Sequence, residues 1–248
     1  HYSIYEPKKS KIGLKVFICK NCGLVQTTSK PDLTKPKNTS TYKISKLSCD
    51  ADYSEIRVGK SQMTHHAFEC FVDNNIKDGI ESVLDMCSAR GHFAIQALRY
   101  FNLQNIYCIE PDEYMTKTYK NNKKINLFVG KYYESNFKRN FDLIYSCHTL
   151  EHFKNPSKNL DFIWRNLNEN GLFFLDVPNI ELINNQLNID EFFYDYHKYY
   201  FNRDILRNYL ESIGFEIIYE NSLISSICFL CKKVDKLKKL KINDKIVK

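Results

Sequence analysis

Long apolar runs are missing from this chain, as is any signal-peptide pattern, which excludes a membrane-spanning helix and leaves a cytoplasmic protein as the expectation. A disulfide framework is missing too. The nine cysteines sit mostly in apolar, strand-like runs (Cys108, Cys147, Cys228, Cys231), without the spacing of a small secreted domain, so reduced thiols are expected. No GxGxxG phosphate fingerprint occurs, because Cys87 and Ala89 stand where its glycines belong. Nor does any base-flipping or RNA-module signature accompany the net charge of +7. Much of that charge lies in the last segment, where eight lysines face two aspartates between Lys232 and Lys248. Such a run is a solvated tail, which weighs against nucleic acid or an anionic membrane as partner.

What is present is enough for a core. A chain of 248 residues with 43% apolar and 14% aromatic content accommodates one α/β domain and an appendage. The stretch Val83–Phe93 organises the rest: three apolar residues and Asp85 make a buried strand end, small residues make a turn, and Gly91 opens a helix with Ala94, Ile95, Ala97 and Leu98 on one face. A turn of this kind brings backbone close to a ligand and aims helix N–H groups at it. About twenty residues on, Ile106–Glu110 is a second apolar strand ending in an acid, the spacing at which a carboxylate meets ribose hydroxyls in a doubly wound sheet. A nucleoside or nucleotide is the expected ligand.

From Glu81 the pattern alternates strand and helix: Val83–Met86, Gly91–Phe101, Ile106–Glu110, Asp112–Asn121, Ile125–Val129, Phe141–Ser146, Pro156–Leu167, Gly171–Val177, Arg203–Ile213, Phe215–Glu220 and Ser225–Leu230. This predicts a mainly parallel, seven-stranded, doubly wound α/β sheet closed by a hairpin, with a small N-terminal appendage. Asn155-Pro156 predicts a helix start and Gly171 its end; Asn202 and Gly214 bracket the later helix. Ser61–Ile76 reads as a helix before the first strand, which puts Tyr53, Arg57, His65 and His66 near the loop, with exposed surface as the safer reading for each. The expected divisions are 1–48 (appendage and linker), 49–233 (main domain) and 234–248 (lysine-rich tail).

Two cysteine pairs invite a metal reading. Cys19-Lys20-Asn21-Cys22-Gly23 is a knuckle that presents two thiols to one ion, but a closed structural zinc site needs four ligands and only this pair is visible. Cys228 and Cys231 fall on a strand, whose period of two points them to opposite faces, so they are rejected as a clip.

Three further runs carry chemistry: FDLIxxxHxLEHxxNP from Phe141, GxxxxDVPN at Gly171–Asn179, and HxxYFxxxxLxxxLxxxGF from His197 to Phe215. With the ValLeuAsp turn ending at Gly91 and the IleGluPro at 109–111, they resemble class I methyltransferases that use S-adenosylmethionine (SAM), in a branch acting on quinone precursors and sugars, including surface-polysaccharide components. CxxCGLV at 19–25 resembles the second half of the zinc ribbon preceding many of them. The resemblance implies a Rossmann-like class I fold, with Asp85, Cys87, Ala89, Gly91, Glu110, Pro111 and Cys147 at the cofactor and S-adenosylhomocysteine as product. It also implies O-methylation of a small molecule such as a sugar, nucleotide-linked sugar or phosphate-bearing metabolite.

His197, in an aromatic insertion after a strand's carboxyl end, is the expected proton acceptor, with His148 and His152 as further catalytic candidates. The string HxxEH at His148–His152 also matches an inverted zinc-protease motif, which its place after a strand argues against. It is similar as well to the ExxEH metal site of some quinone methyltransferases, with His148 in place of the first acid; no metal is assigned to it. Two alternatives stay open: a nucleic-acid methyltransferase or binding module, and a catalytically silent scaffold with a degenerate loop.

Overall fold

The computed structural model describes residues 2–5, 14–28, 64–181, 192–193, 197–222 and 226–234. Its centre is a seven-stranded sheet built from β4 (Val83–Met86), β5 (Ile106–Glu110), β6 (Ile125–Val129), β7 (Phe141–Cys147), β8 (Leu167–Pro178), β10 (Phe215–Ser222) and β11 (Ser226–Lys233). The order across the sheet is β10-β11-β8-β7-β4-β5-β6. Neighbours from β8 to β6 run parallel, and β11 alone runs against both of its partners. The chain reverses direction across the sheet between β4 and β7, so their carboxyl ends flank the crevice where an open α/β sheet takes its ligand.

Apolar residues cover both faces. On one, α1 (residues 64–73) and α2 (His92–Tyr100) bury Ala67, Phe71, Phe93 and Ala97 against Val83, Cys108 and Phe174. On the other, α3 (Pro156–Asn166) and α4 (Arg203–Ile213) bury Leu160, Ile163, Leu206 and Leu210 against Leu84, Phe173 and Phe229. Phe173 and Phe174, adjacent in β8, divide between the two cores as the pleat requires. Cys228 and Cys231 divide in the same way, which removes them as a metal pair.

Local signals set several boundaries. Asn155 Oδ1 accepts from Lys158 N at 3.1 Å with Pro156 in the first turn, and Asn202 Oδ1 accepts from Ile205 N at 2.8 Å. Gly214, left-handed at φ 110, closes α4. Elsewhere the expectations need correction. The helix expected over Asp112–Asn121 is a single 3-10 turn, Met115–Thr118, which buries Thr116, with Tyr119 buried just after it. Its neighbours are pulled onto the loop after β4: Thr118 Oγ1 donates to Arg90 O at 3.0 Å, and the Tyr119 and Ser88 hydroxyls are 2.7 Å apart. Tertiary contacts win over a local helical tendency there.

Gly171 does not end α3, which stops at Asn166; Leu167 is already extended and begins β8. The glycine is needed because a Cβ would lie 2.8 Å from Asn168 O and 3.0 Å from Phe141 O, both backbone atoms that cannot step aside. The helix expected to reach Ile76 ends at residue 73, followed by Asn75 in the left-handed region (φ 55); residues 61–63 lie outside the described ones.

A second sheet, order β1-β2-β3-β9, joins β1 (Tyr2–Tyr5), β2 (Val16–Cys19) and β3 (Val25–Thr27) to β9 (Tyr199–Tyr200). The N-terminal segment therefore pairs with the aromatic insertion, and Phe192 and Tyr200 are buried with Val16 and Val25. Those rings pack as core. Tyr194, Asp195 and Tyr196 lie outside the described residues, as do Tyr53, Arg57 and the lysine-rich tail beyond Val234.

Candidate active site

The turn after β4 holds an unusual backbone. Cys87 (φ 53), Ala89 (φ 47) and Gly91 (φ 71) all take left-handed conformations, although only one is glycine. Each non-glycine residue held there costs about 1–2 kcal/mol, so the surroundings must fix the turn. They do: Ser88 N donates to Ile109 O at 3.0 Å, Gly91 N to Ser88 O at 2.7 Å, and Ala89 N to Glu110 Oε2 at 2.7 Å. Gly91 has a second reason to be glycine, since a Cβ would come within 2.8 Å of the Tyr119 ring.

This turn forms one wall of a pocket. Asp85, Cys87, Ser88 and Ala89 line it, with Arg90, His92, Phe93 and Thr64 beside them and Tyr145, Cys147 and His148 opposite. The Phe93 and Tyr145 rings stack at 3.7 Å. Of the residues expected at the cofactor, Asp85, Cys87, Ala89 and Cys147 are on the wall. Glu110, nearly buried, reaches the turn through its carboxylate, whose Oε1 also accepts from Asp112 N at 2.8 Å. Pro111 is exposed. Ser88, Arg90, His92 and Phe93 belong to the Val83–Phe93 stretch, though the sequence does not single them out, whereas only the chain's three-dimensional return puts Thr64 and Tyr145 here. His65 is paired with Glu69 at 3.1 Å on the exposed side of α1, and His66 faces a separate cleft with Tyr219 and Asn221.

The three candidate histidines converge on one acid. Glu151 is fully buried, and its Oε1 lies 3.8 Å from His148 Nδ1, 3.6 Å from His152 Nε2 and 4.0 Å from His197 Nε2. A 3-10 turn, Leu150–His152, carries the acid past the end of β7, and Lys198 N donates to Glu151 O at 2.8 Å, tying the segment before β9 to that turn. So HxxEH lies on a strand end and one short turn, with no long helix to support a protease-type zinc site. His148 alone of the three is on the pocket wall. It is held with φ 46, its N–H donating to Asp176 O at 2.8 Å and its Nε2 lying 3.3 Å from Asp176 Oδ1. Two sets of metal-ligating type occur among the described residues, Cys147/His148/Asp176 and Glu151/His152/His197. In both sets the carboxylate oxygens face imidazoles at 3.3–4.0 Å, and Glu151 Oε1, Glu151 Oε2 and Asp176 Oδ1 are buried without a hydrogen bond among the described residues; no metal is assigned.

His197 is 7% exposed, its ring 4.8 Å from that of His152. Burial, and after it the neighbouring His152 and His148, lower its pKa from 6.5 to about 2. The folded protein thus keeps this ring neutral where the unfolded chain would protonate it. With the folded pKa lowered, the contribution is complete above the unfolded value and is lost as pH falls from 6.5 toward 2. Thermal denaturation midpoints are expected to drop below that pH, and to drop less in His197→Gln; equal slopes in the two proteins would exclude this ring as the cause.

A sequence model described as "Methyltransferase domain" matches residues 50–220. The chain belongs to the methyltransferase-domain family. SAM is the cofactor of that chemistry, and the donor set fits it: two buried acids at adjacent strand ends, Asp85 and Glu110, flank a turn of small residues whose backbone faces the crevice. No curated protein matches the sequence. Among solved structures, an S-adenosylmethionine-dependent methyltransferase from Clostridium acetobutylicum superposes with a TM-score of 0.59 at 15% identity, over 79% of this chain and 100% of that one. A putative methyltransferase complexed with the Trm112 activator from Haloferax volcanii gives 0.61 at 13%, covering 75% and 97%. A putative sarcosine dimethylglycine methyltransferase from Galdieria sulphuraria gives 0.59 at 13%, covering 73% and 89%. At these identities the likeness is one of fold. No helix among the described residues of the methyltransferase is long and apolar enough to cross a membrane.

At the N-terminus, Cys19 and Cys22 occupy the tip between β2 and β3, where Gly23 (φ 73) donates to Cys19 O at 2.8 Å. The Cys22 and Asn21 backbone N–H groups lower the Cys19 thiol pKa, whereas burial raises that of Cys22. No third ligand-type side chain joins this pair among the described residues.

Proposed function

We propose that this methyltransferase moves a methyl group from SAM to a hydroxyl of a small acceptor, a sugar, nucleotide-linked sugar or related phosphate-bearing metabolite of surface-polysaccharide synthesis. The observation that carries the reaction type is His148, which stands on the pocket wall beside Cys147 with buried carboxylates on both sides of its ring. The acceptor class rests on the resemblance of the runs at 141–156, 171–179 and 197–215.

When bound, the cofactor supplies an electrophilic methyl group on a sulfonium. Glu110 would hold its ribose hydroxyls at the end of β5 with Asp85 beside it at β4, and the left-handed turn at Cys87–Gly91 would follow its amino-acid part. His148 would take the proton that the acceptor hydroxyl loses, with Glu151, 3.8 Å from Nδ1, stabilising the imidazolium. Proximity of acceptor and cofactor in the pocket would supply most of the acceleration. His197, expected from the sequence as proton acceptor, would act one step back. Its ring lies off the pocket wall, and a low pKa makes it a weak base. Exchanging it tests that ordering directly against exchange of His148.

A second reading, a catalytically silent scaffold, is favoured by one observation: Cys87 and Ala89 hold left-handed backbone in place of glycine. Native mass spectrometry of the purified protein separates the two. Carried-over SAM or S-adenosylhomocysteine is expected, followed by S-adenosylhomocysteine release when nucleotide-linked sugars are screened. Absence of both nucleosides, together with no calorimetric SAM binding, would leave only the scaffold.

A further inference from the structure

Asp176 is a carboxylate in the middle of an apolar strand, fully buried, and the proposed reaction has given it no task. Its surroundings give it one. In the sheet it stands in register with Cys147 of β7 on one side and Cys228 of β11 on the other. Oδ2 accepts from the Cys228 thiol at 3.1 Å and from the Ser226 hydroxyl at 3.4 Å, both offered by the antiparallel strand. Oδ1 faces His148 Nε2 at 3.3 Å, and the Asp176 carbonyl accepts the His148 N–H at 2.8 Å. One strand residue therefore meets His148 twice: its carbonyl holds the left-handed backbone by a hydrogen bond, and its carboxylate sets a negative charge 3.3 Å from the ring without forming a hydrogen bond to it. Leaving a charged group in a sheet core is costly unless it is paired, and the Oδ2 of this carboxylate is paired by the Cys228 thiol and the Ser226 hydroxyl.

We propose that Asp176, fixed by Cys228 and Ser226, is the positioning residue for His148. Its negative charge beside Nε2 favours the proton on that nitrogen and leaves Nδ1 as the basic one. The geometry is that of an acid orienting a general base, in which the acid keeps the tautomer and does not itself take the proton. The other titratable groups facing His148 are Glu151, 3.8 Å from Nδ1, then Cys147 next in sequence, with His152 and His197 beyond Glu151. Glu151 favours the same imidazolium, while His152 and His197 would oppose it only if protonated. The thiol of Cys228 stays protonated, because burial and, after it, Asp176 both raise its pKa. It is thus a lasting donor and not a competing acid. This assignment rests on the reading of His148 as the base.

The test is nitrogen-15 NMR of histidine-labelled full chain, with the His148 signal identified by its loss in His148→Asn. In the wild type, the neutral ring is expected as the Nε2–H tautomer; an Nδ1–H tautomer would overturn the proposal without any variant having to fold. In Asp176→Asn, which keeps shape and both strand contacts, the His148 titration is expected to move to lower pH because a negative neighbour has been removed. An unmoved titration in a folded Asp176→Asn would also overturn it. Calorimetry with SAM is run on the same samples: unchanged affinity in Asp176→Asn is expected, and loss of affinity would make Asp176 a cofactor residue instead. If the wild type binds no SAM, the reading of the cofactor site fails while the tautomer result stands by itself.

Discussion

Replacing His148 with asparagine is expected to reduce methyl transfer by on the order of a hundredfold or more, the contribution of a well-placed base, and to leave SAM affinity as it was. Asparagine is the informative choice because His148 sits at φ 46, a backbone region that asparagine tolerates and that alanine would strain. A base used after the cofactor has bound affects turnover and not the binding step. The assay is S-adenosylhomocysteine release with an acceptor drawn from the nucleotide-linked sugars. The acid side of the wild-type rate profile should disappear in the variant. His197→Gln, run beside it, is expected to lose stability in acid but to retain most of its turnover at neutral pH. If His148→Asn keeps near-normal turnover while His197→Gln loses it, the order of the two histidines is reversed.

The second large effect is expected at Glu110. Its carboxylate accepts from Ala89 N and Asp112 N at 2.7 and 2.8 Å, so it is part of the turn's frame before any cofactor arrives. Glu110→Ala removes both bonds and leaves two backbone donors to find water. Hydrogen bonds to a charged acceptor contribute about 1.5–3 kcal/mol each, and the left-handed conformations at Cys87 and Ala89 lose one of their restraints. Calorimetry should show at least a tenfold loss of SAM affinity, about 1.4 kcal/mol, accompanied by a lower denaturation midpoint. Glu110→Gln should fall between, since its side-chain oxygen can keep one of the two contacts. Unchanged affinity in Glu110→Ala would remove this acid from the cofactor site and leave it a structural tie.

The sequence by itself determined the strand order's raw material and the local stops. β4 was legible as three apolar residues around Asp85 and β5 as four apolar residues ending in Glu110, and the caps at Asn155, Asn202 and Gly214 act on the next turn of chain and on nothing farther away. Wherever a residue's role depends on partners distant in sequence, only the tertiary structure decided it. Residues 112–121 gave up a helix because Thr118 and Tyr119 are claimed by Arg90 and Ser88, about thirty residues earlier. Gly171 proved to be a close approach of β8 to the Phe141 carbonyl, and Tyr199–Tyr200 of the aromatic insertion proved to be the edge strand of a second sheet, since a pairing such as β3 with β9 leaves no periodic trace in either segment. The histidines were each visible as chemistry, but which of them lines the pocket was not. Burial and the distances to Glu151 and Asp176 set which ring faces the pocket and which stays neutral beneath it, and those are properties of packing between segments that the linear pattern does not encode.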